Sequence, residues 1–245
     1  MEIGNCGILS HSTEPMIKNL KILAVIPARG GSKGLKGKNI ALLDGIPLIA
    51  YSIAAAKQSK YVDHCIVTSD SPDILAIAEK CGADPVQRPD ELASDTASSE
   101  SAVSHAIAGF PEYDLILLLQ PTSPLRTGHD IDLSTESLLD SDATALISVF
   151  EPSHTPFKCF KMSGEGYLTG LVDNNSPFVR RQDLPAAFMP NGAIYLIYRK
   201  DFLLNQSFFT EKTIPYIMSQ SRSIDIDTPD DLSLASSLLK QQSDN

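Results

Sequence analysis

The sequence predicts an α/β fold, a mostly parallel central sheet with flanking helices. Three observations carry that reading. Short apolar, β-branched runs alternate with helical stretches along residues 21–108. Residues 115–120 (LILLLQ) are apolar at every position but the last, the pattern of a strand buried on both faces. A basic, glycine-rich loop follows the first apolar run, and ligands in open α/β sheets sit outside the carboxyl ends of strands.

Taken in order, residues 21–28 (KILAVIPA) read as the first strand and Leu48–Gln58 (LIAYSIAAAKQ) as the first helix, with Ala, Ile and Leu at helical spacing. Residues 64–69 (HCIVTS) form a β-branched strand. Asp-Ser-Pro then supplies cap chemistry and an early proline for a helix over 73–81, closed by Gly82. A short strand is expected over 84–88, a helix over 98–108 and strands over 115–120 and Ala145–Phe150. The rhythm breaks at 151–190, where Pro152, Pro156, Pro177, Pro185 and Pro190 accompany Gly164, Gly166 and Gly170. That interruption is too long for a simple connection, so it reads as a small lobe or as an arm that packs on another subunit. Strands are expected again at 193–198 and 223–227, with a final helix over 229–240. The domain therefore spans 20–240.

At 42% hydrophobic residues the chain is too apolar for global disorder, and its 245 residues can bury a core without disulfides. Thirty acids against twenty Lys plus Arg leave a net charge of −10, which argues against nucleic acid or an anionic membrane as partner. No run approaches the length of a membrane span. Residues 1–19 are expected to be a disordered leader, since they carry neither the basic start nor the apolar stretch of a secretory signal. Cys6, Cys65, Cys81 and Cys159 show no paired spacing, so neither a disulfide framework nor a zinc cage is expected, and a cytoplasmic location is.

Two motifs carry chemistry. Residues 29–39 (RGGSKGLKGKN) gather Arg29, Lys33, Lys36 and Lys38 with four glycines. Glycines let backbone N–H groups turn inward as anion nests, and the cations neutralise phosphate oxygens. The spacing fits neither a Walker A loop, because Asn39 follows Gly37-Lys38, nor the G-x-G-x-x-G fingerprint. A polyphosphate site and a solvated basic turn are both open at this level. In residues 223–228 (SIDIDT), a strand would put Asp225 and Asp227 on one face. Two facing carboxylates suit a hard cation such as Mg²⁺ that also binds substrate phosphates, or form an exposed strand end before a helix cap.

The blocks IPARGGSKG (26–34) with KN (38–39), RPDELASDTASS (88–99), LLQPTSPLRTG (118–128), RQDLP (181–185), PNGAIY (190–195) and SIDIDTPDDL (223–232) stand in order over about residues 21–236. Together they resemble the CMP-sialic acid synthetases, or N-acylneuraminate cytidylyltransferases, among which CMP-legionaminate synthases are counted. The resemblance implies a nucleotidyltransferase, Rossmann-like fold and a homodimer in which the protruding segment 151–190 reaches the partner's site. It implies that CTP and a nine-carbon α-keto acid sugar, N-acetylneuraminate or legionaminate, give the CMP-sugar and pyrophosphate with Mg²⁺ as cofactor. Pseudaminate or another acidic sugar is the alternative acceptor, and a non-catalytic nucleotide-binding module is the competing class.

By position, the resemblance assigns Arg29, Gly30, Ser32, Lys33, Lys38 and Asn39 to the triphosphate, and Arg88 and Ser99 to cytidine or ribose. Gln120 would face the acceptor. Lys158 and Arg181 would bind its carboxylate, Asn191 and Tyr195 belong to the PNGAIY block, and Phe208 and Phe209 would pack on an acyl group. Asp225 and Asp227 would hold the metal, and with Arg29, Lys38 and Gln120 they make up the expected catalytic set. Met189 stands where at least some sialic-acid enzymes carry Arg, which leaves the sugar open.

Overall fold

Residues Ile22–Pro27 form β1, and its first five side chains are all buried. The computed structural model describes residues 20–31 and 34–243; the expected leader and the loop residues Ser32 and Lys33 lie outside the described residues. A two-stranded ribbon, β2 (Leu42–Leu43) and β3 (Ile46–Pro47), turns the chain into α1 (Leu48–Gln58). Then follow β4 (Val62–Ser69), α2 (Pro72–Cys81), β5 (Asp84–Gln87), α3 (Ser99–Ile107) and β6 (Leu115–Leu118). The second half holds α4 (Gly128–Leu139), β7 (Ala145–Phe150), a hairpin of β8 (Phe160–Met162) and β9 (Leu168–Gly170), β10 (Met189–Tyr198), α5 (Arg199–Asn205), β11 (Thr213–Ile217) and α6 (Pro229–Ser243).

Seven strands make one sheet in the order β11-β7-β10-β6-β1-β4-β5. Every pairing is parallel except those of β10, which runs antiparallel to both β6 and β7. The period of two along β1 explains why the sheet is covered on both faces. Ile22, Ala24 and Ile26 pack with Ile49 and Ile53 of α1, Ile74 of α2 and Ile131 of α4. Leu23 and Val25 point the other way, toward Val103 and Ile107 of α3 and Phe202 of α5. Each fully buried Leu or Ile contributes roughly 1.5–3 kcal/mol, so the centre of the sheet is its firmest part.

The expected alternation is present, with several additions and one correction. The expected elements include none at α4, α5 or β11, nor at the small ribbons β2–β3 and β8–β9. α4 begins with a capping box between Thr127 and Asp130, a T-x-x-D signal visible in the sequence. β11 carries Pro215, which an edge strand tolerates because one side needs no ladder donors. The correction concerns 223–227, expected as a strand and found as irregular chain. The segment pairs with neither edge strand of the sheet, β11 or β5. It lies against the turn after β6, with Ile226 N donating to Thr122 O at 2.9 Å. Segment 151–190 holds the β8–β9 hairpin, separate from the main sheet, and exposes Met162, Tyr167, Leu168, Val172 and Phe178. Among the described residues, no helix is long and apolar enough to cross a membrane.

Candidate active site

At the carboxyl end of the sheet a cleft of about 440 Å³ opens between the loops after β1, β5 and β6 and the segment before α6. Its lining includes Arg29, Lys38, Asn39, Arg88, Ser99, Gln120, Asp225 and Asp227. Eight of the residues singled out from sequence thus converge, although they lie as much as 198 positions apart (227 − 29).

The loop after β1 is shaped by its neighbours. Ala28 N donates to Thr68 O at 3.0 Å, continuing the parallel ladder into the loop. Asn39, buried, donates from Nδ2 to Arg29 O at 2.9 Å and ties the loop's two ends together. Gly37 sits at φ 64° ahead of the short 3₁₀ turn Lys38–Ile40, a left-handed conformation that favours glycine. Each described cation of the cleft meets a carboxylate. Arg29 Nη1 lies 2.8 Å from Asp95 Oδ1, Lys38 Nζ 2.7 Å from Asp227 Oδ1, and Arg88 Nη2 3.4 Å from Asp70 Oδ1. Arg88 is buried, and burial lowers its pKa against the opposing pull of Asp70. Its Nε has no hydrogen-bond partner among the described residues.

Asp225 and Asp227 line the cleft together. Burial raises the pKa of Asp225; a hydrogen bond from Thr122 opposes this, and the nearby charge of Asp227 adds to it. A carboxylate whose charge is disfavoured by a neighbouring one fits a divalent cation, which would offset that repulsion. Among the described residues no group of three or more His, Cys, Asp or Glu is arranged to hold a metal. A cation here would complete its shell with water and ligand oxygens, as Mg²⁺ does. The segment is fixed downstream by Asp231, whose Oδ2 accepts from Thr228 N at 2.7 Å and from Asp227 N at 3.0 Å. Gly34 lies against it so closely that a Cβ there would meet Asp227 O at 2.6 Å.

Gln120 is set by a buried arginine that the sequence reading did not single out. Arg126 donates from Nη2 to Gln120 O at 2.8 Å, from Nε to Ala193 O at 2.6 Å and from Nη2 to Ser52 Oγ at 3.1 Å. Complete burial pushes its pKa down to about 10. The fork therefore joins the end of β6 to β10 and α1. Gly192, at φ 72°, leaves the space into which the Gln120 side chain packs. Asp130 anchors the approach to Asp225. It accepts from both terminal nitrogens of Arg222, while Arg222 Nη2 also reaches Leu125 O at 3.2 Å.

The other predicted residues among those described do not line the cleft. Gly30 lies beside it, its N donating to Asp70 Oδ1 at 3.0 Å. Asn191 is buried; its Oδ1 accepts from Ser148 Oγ at 2.6 Å and its Nδ2 donates to Ser223 Oγ at 2.9 Å. It thereby pins β10 to the chain leading into Asp225. Tyr195 stacks edge-on against buried Phe208, and burial, with the charges of Asp225 and Glu100, raises its phenol pKa. Phe209 is exposed. Arg181 lines a separate hollow of about 170 Å³ with Glu151, Pro152 and Thr155, and Lys158 lies in the 3₁₀ turn Pro156–Lys158 of the same irregular segment.

Residues 23–244 match a family model described as cytidylyltransferase. The chain is similar to a CMP-N,N'-diacetyllegionaminic acid synthase of Legionella pneumophila, 37% identical over 90% of this chain and 97% of the relative. It is equally similar to an N-acylneuraminate cytidylyltransferase of Escherichia coli, 37% identical over 88% of this chain, but spans only 51% of that relative's length. Among solved structures, a CMP:2-keto-3-deoxy-manno-octonic acid synthetase in complex with CTP shares the fold at a TM-score of 0.69 and 20% identity, covering 91% of this chain and 99% of that one.

Proposed function

The chain belongs to the cytidylyltransferase family, and on that premise we propose that it transfers the cytidylyl group of CTP to the C2 hydroxyl of a nine-carbon nonulosonic acid, releasing pyrophosphate. The observation that carries this reading is the convergence of Arg29, Lys38 and Arg88 with Asp225 and Asp227 around one cleft at the carboxyl ends of the parallel strands. Arg29 and Lys38 suit the triphosphate, Arg88 suits the nucleoside, and the paired carboxylates suit Mg²⁺ with its phosphates. The likeness to a legionaminic acid synthase along nearly that relative's whole length makes legionaminate the first acceptor to test, with N-acetylneuraminate beside it.

In this reading Arg29 and Lys38, with Ser32 and Lys33 of the same loop, bind the triphosphate and neutralise the charge that builds on the departing pyrophosphate. Asn39 keeps the loop closed, and Arg88 and Ser99 hold the nucleoside. Gln120, fixed by Arg126, orients the acceptor so that its C2 oxygen lies in line with the α-phosphorus; such positioning accounts for much of phosphoryl-transfer catalysis. Asp225 and Asp227 would hold Mg²⁺, which supplies Lewis-acid stabilisation of phosphate charge when bound. Arg181 and Lys158 bind the sugar carboxylate, for which a guanidinium fork is the apt partner. Their absence from the cleft lining supports a homodimer in which segment 151–190 serves the partner's cleft, and the exposed apolar side chains of β8, β9 and Phe178 support that face as the contact. The cytoplasm, which holds CTP, is the proposed location.

The test is pyrophosphate release from CTP and Mg²⁺ with legionaminate, N-acetylneuraminate and pseudaminate, beside the other nucleoside triphosphates. Turnover that requires CTP and one of these acids is expected. No turnover with any nine-carbon keto acid would sink the reading.

A further inference from the structure

Asp70 has no place in the scheme above, yet it touches two of its parts. It follows Ser69, the last residue of β4, and its Oδ1 accepts from Gly30 N at 3.0 Å and faces Arg88 Nη2 at 3.4 Å. Gly30 belongs to the loop after β1; Arg88 follows β5. The two strands flank β4 in the sheet, so a side chain at the end of β4 is the one position between them.

The surroundings tighten this bridge. A Cβ on Gly30 would lie 3.0 Å from Ser71 Cβ and 3.3 Å from Asp70 Oδ2, so a larger residue would press Ser71 and the carboxylate aside by a few tenths of an ångström. Arg88 N donates to Ser69 O at 2.8 Å, which zips the Arg88 backbone onto the end of β4. Gln87 Nε2 spans Arg88 O and Asp70 O at 3.3 and 3.5 Å. Arg88 itself lines the cleft with a buried Nε that has no partner among the described residues. A buried guanidinium donor left unmatched is costly, and here it belongs to a side chain whose ion-pair partner among the described residues is Asp70.

We infer that Asp70 is a positioning residue that braces the loop after β1 and Arg88 as one unit, so that both arms of a nucleoside triphosphate are gripped in fixed register. This inference rests on the nucleotide reading of the cleft. Asp70 touches no reacting atom; it acts through Gly30 and Arg88.

The test uses the full chain and calorimetric binding of three probes: CTP, cytidine and inorganic tripolyphosphate. Asp70→Ala is expected to weaken CTP by at least about tenfold, the scale of losing a hydrogen-bond partner of a charged group, and to weaken cytidine and tripolyphosphate separately. Asp70→Asn, which keeps an acceptor oxygen, should fall between Asp70→Ala and the wild type. In turnover, KM for CTP should rise while KM for the acceptor stays within about twofold and kcat falls less than KM rises. Uniform losses across CTP and acceptor, tracking a lower melting temperature, would assign Asp70 a structural role and overturn the inference. So would weakening of only one of the two partial probes. If the wild-type protein binds none of the three probes, the nucleotide reading itself fails. If it binds them and Asp70→Ala binds equally well, only the bracing role fails.

Discussion

Lys38 Nζ lies 2.7 Å from Asp227 Oδ1, joining a residue of the first loop to one 189 positions later. This pair places a phosphate-seeking cation and a proposed metal ligand on the same few ångströms of the cleft. Lys38→Met is expected to lower kcat by about 10²–10³, the loss seen when a preorganised charge stabiliser is removed. Asp227→Asn and Asp225→Asn should each abolish Mg²⁺-dependent turnover without unfolding the protein. Steady-state rates over a Mg²⁺ titration, with circular dichroism as the fold control, check both; unchanged rates in the Asn variants would remove the metal assignment.

Gly34 tests how closely the loop must approach the aspartate segment. Gly34→Ala would drive a Cβ to 2.6 Å from Asp227 O. Backbone cannot give as a flexible side chain can, so the loop or residues 225–227 must shift. A misplacement of about 1 Å costs on the order of 10²-fold in rate, and kcat/KM should fall on that scale. Gly31→Ala, whose Cβ would meet nothing within 4 Å, should cost far less. Equal losses in the two variants would show that the approach of Gly34 to Asp227 is not what matters.

Asp130 should govern acid stability. Burial raises its pKa, but hydrogen bonds from Arg222 and Thr127 outweigh this and hold the carboxyl below its usual range. A carboxyl depressed in the folded state stabilises above its unfolded pKa, about 3.9, and the stabilisation is lost as pH falls toward the folded value. Asp130→Asn takes the charge away from partly exposed Arg222; breaking a fully buried pair costs about 3–5 kcal/mol, and a smaller loss is expected here because solvent screens the guanidinium. Thermal melts at pH 7 should drop by several degrees. The gap between wild type and variant should narrow below about pH 4; a gap independent of pH would exclude the ion pair as its source.

The irregular segment carries the oligomer prediction. Arg181→Ala should raise KM for the acid sugar by about tenfold or more, as for a lost charged hydrogen bond, with KM for CTP little changed. Phe178→Asp should convert the proposed dimer to monomer in sedimentation velocity and reduce activity with it. A fully active monomer would separate residues 151–190 from the site.

Much of the site was legible because its chemistry is concentrated. Four cations in an eleven-residue loop and an alternating Asp–Ile pair are local patterns, and Arg29, Lys38, Asp225 and Asp227 from them line one cleft. Arg126 was not legible as a buried brace, since nothing local marks an arginine whose partners are the carbonyls of Gln120 and Ala193. Asp70 was read only as part of helix-start chemistry, because its bonds to Gly30 and Arg88 exist only once β1, β4 and β5 are side by side. The expectation of a strand at 223–227 followed from period two alone, and period two does not supply a neighbour to pair with.

The sequence by itself determined the alternation of strands and helices, the basic glycine loop and the acidic pair, because each rests on hydrophobic period, glycine freedom and charge within a few residues. Only the tertiary structure decided that β10 runs antiparallel between β6 and β7, that Asp225 hangs from Thr122 instead of a strand, and that Asp70 stands between two arms of the cleft. Those facts depend on which distant segments share a hydrogen bond, and burial of the sheet on both faces is what brings them together.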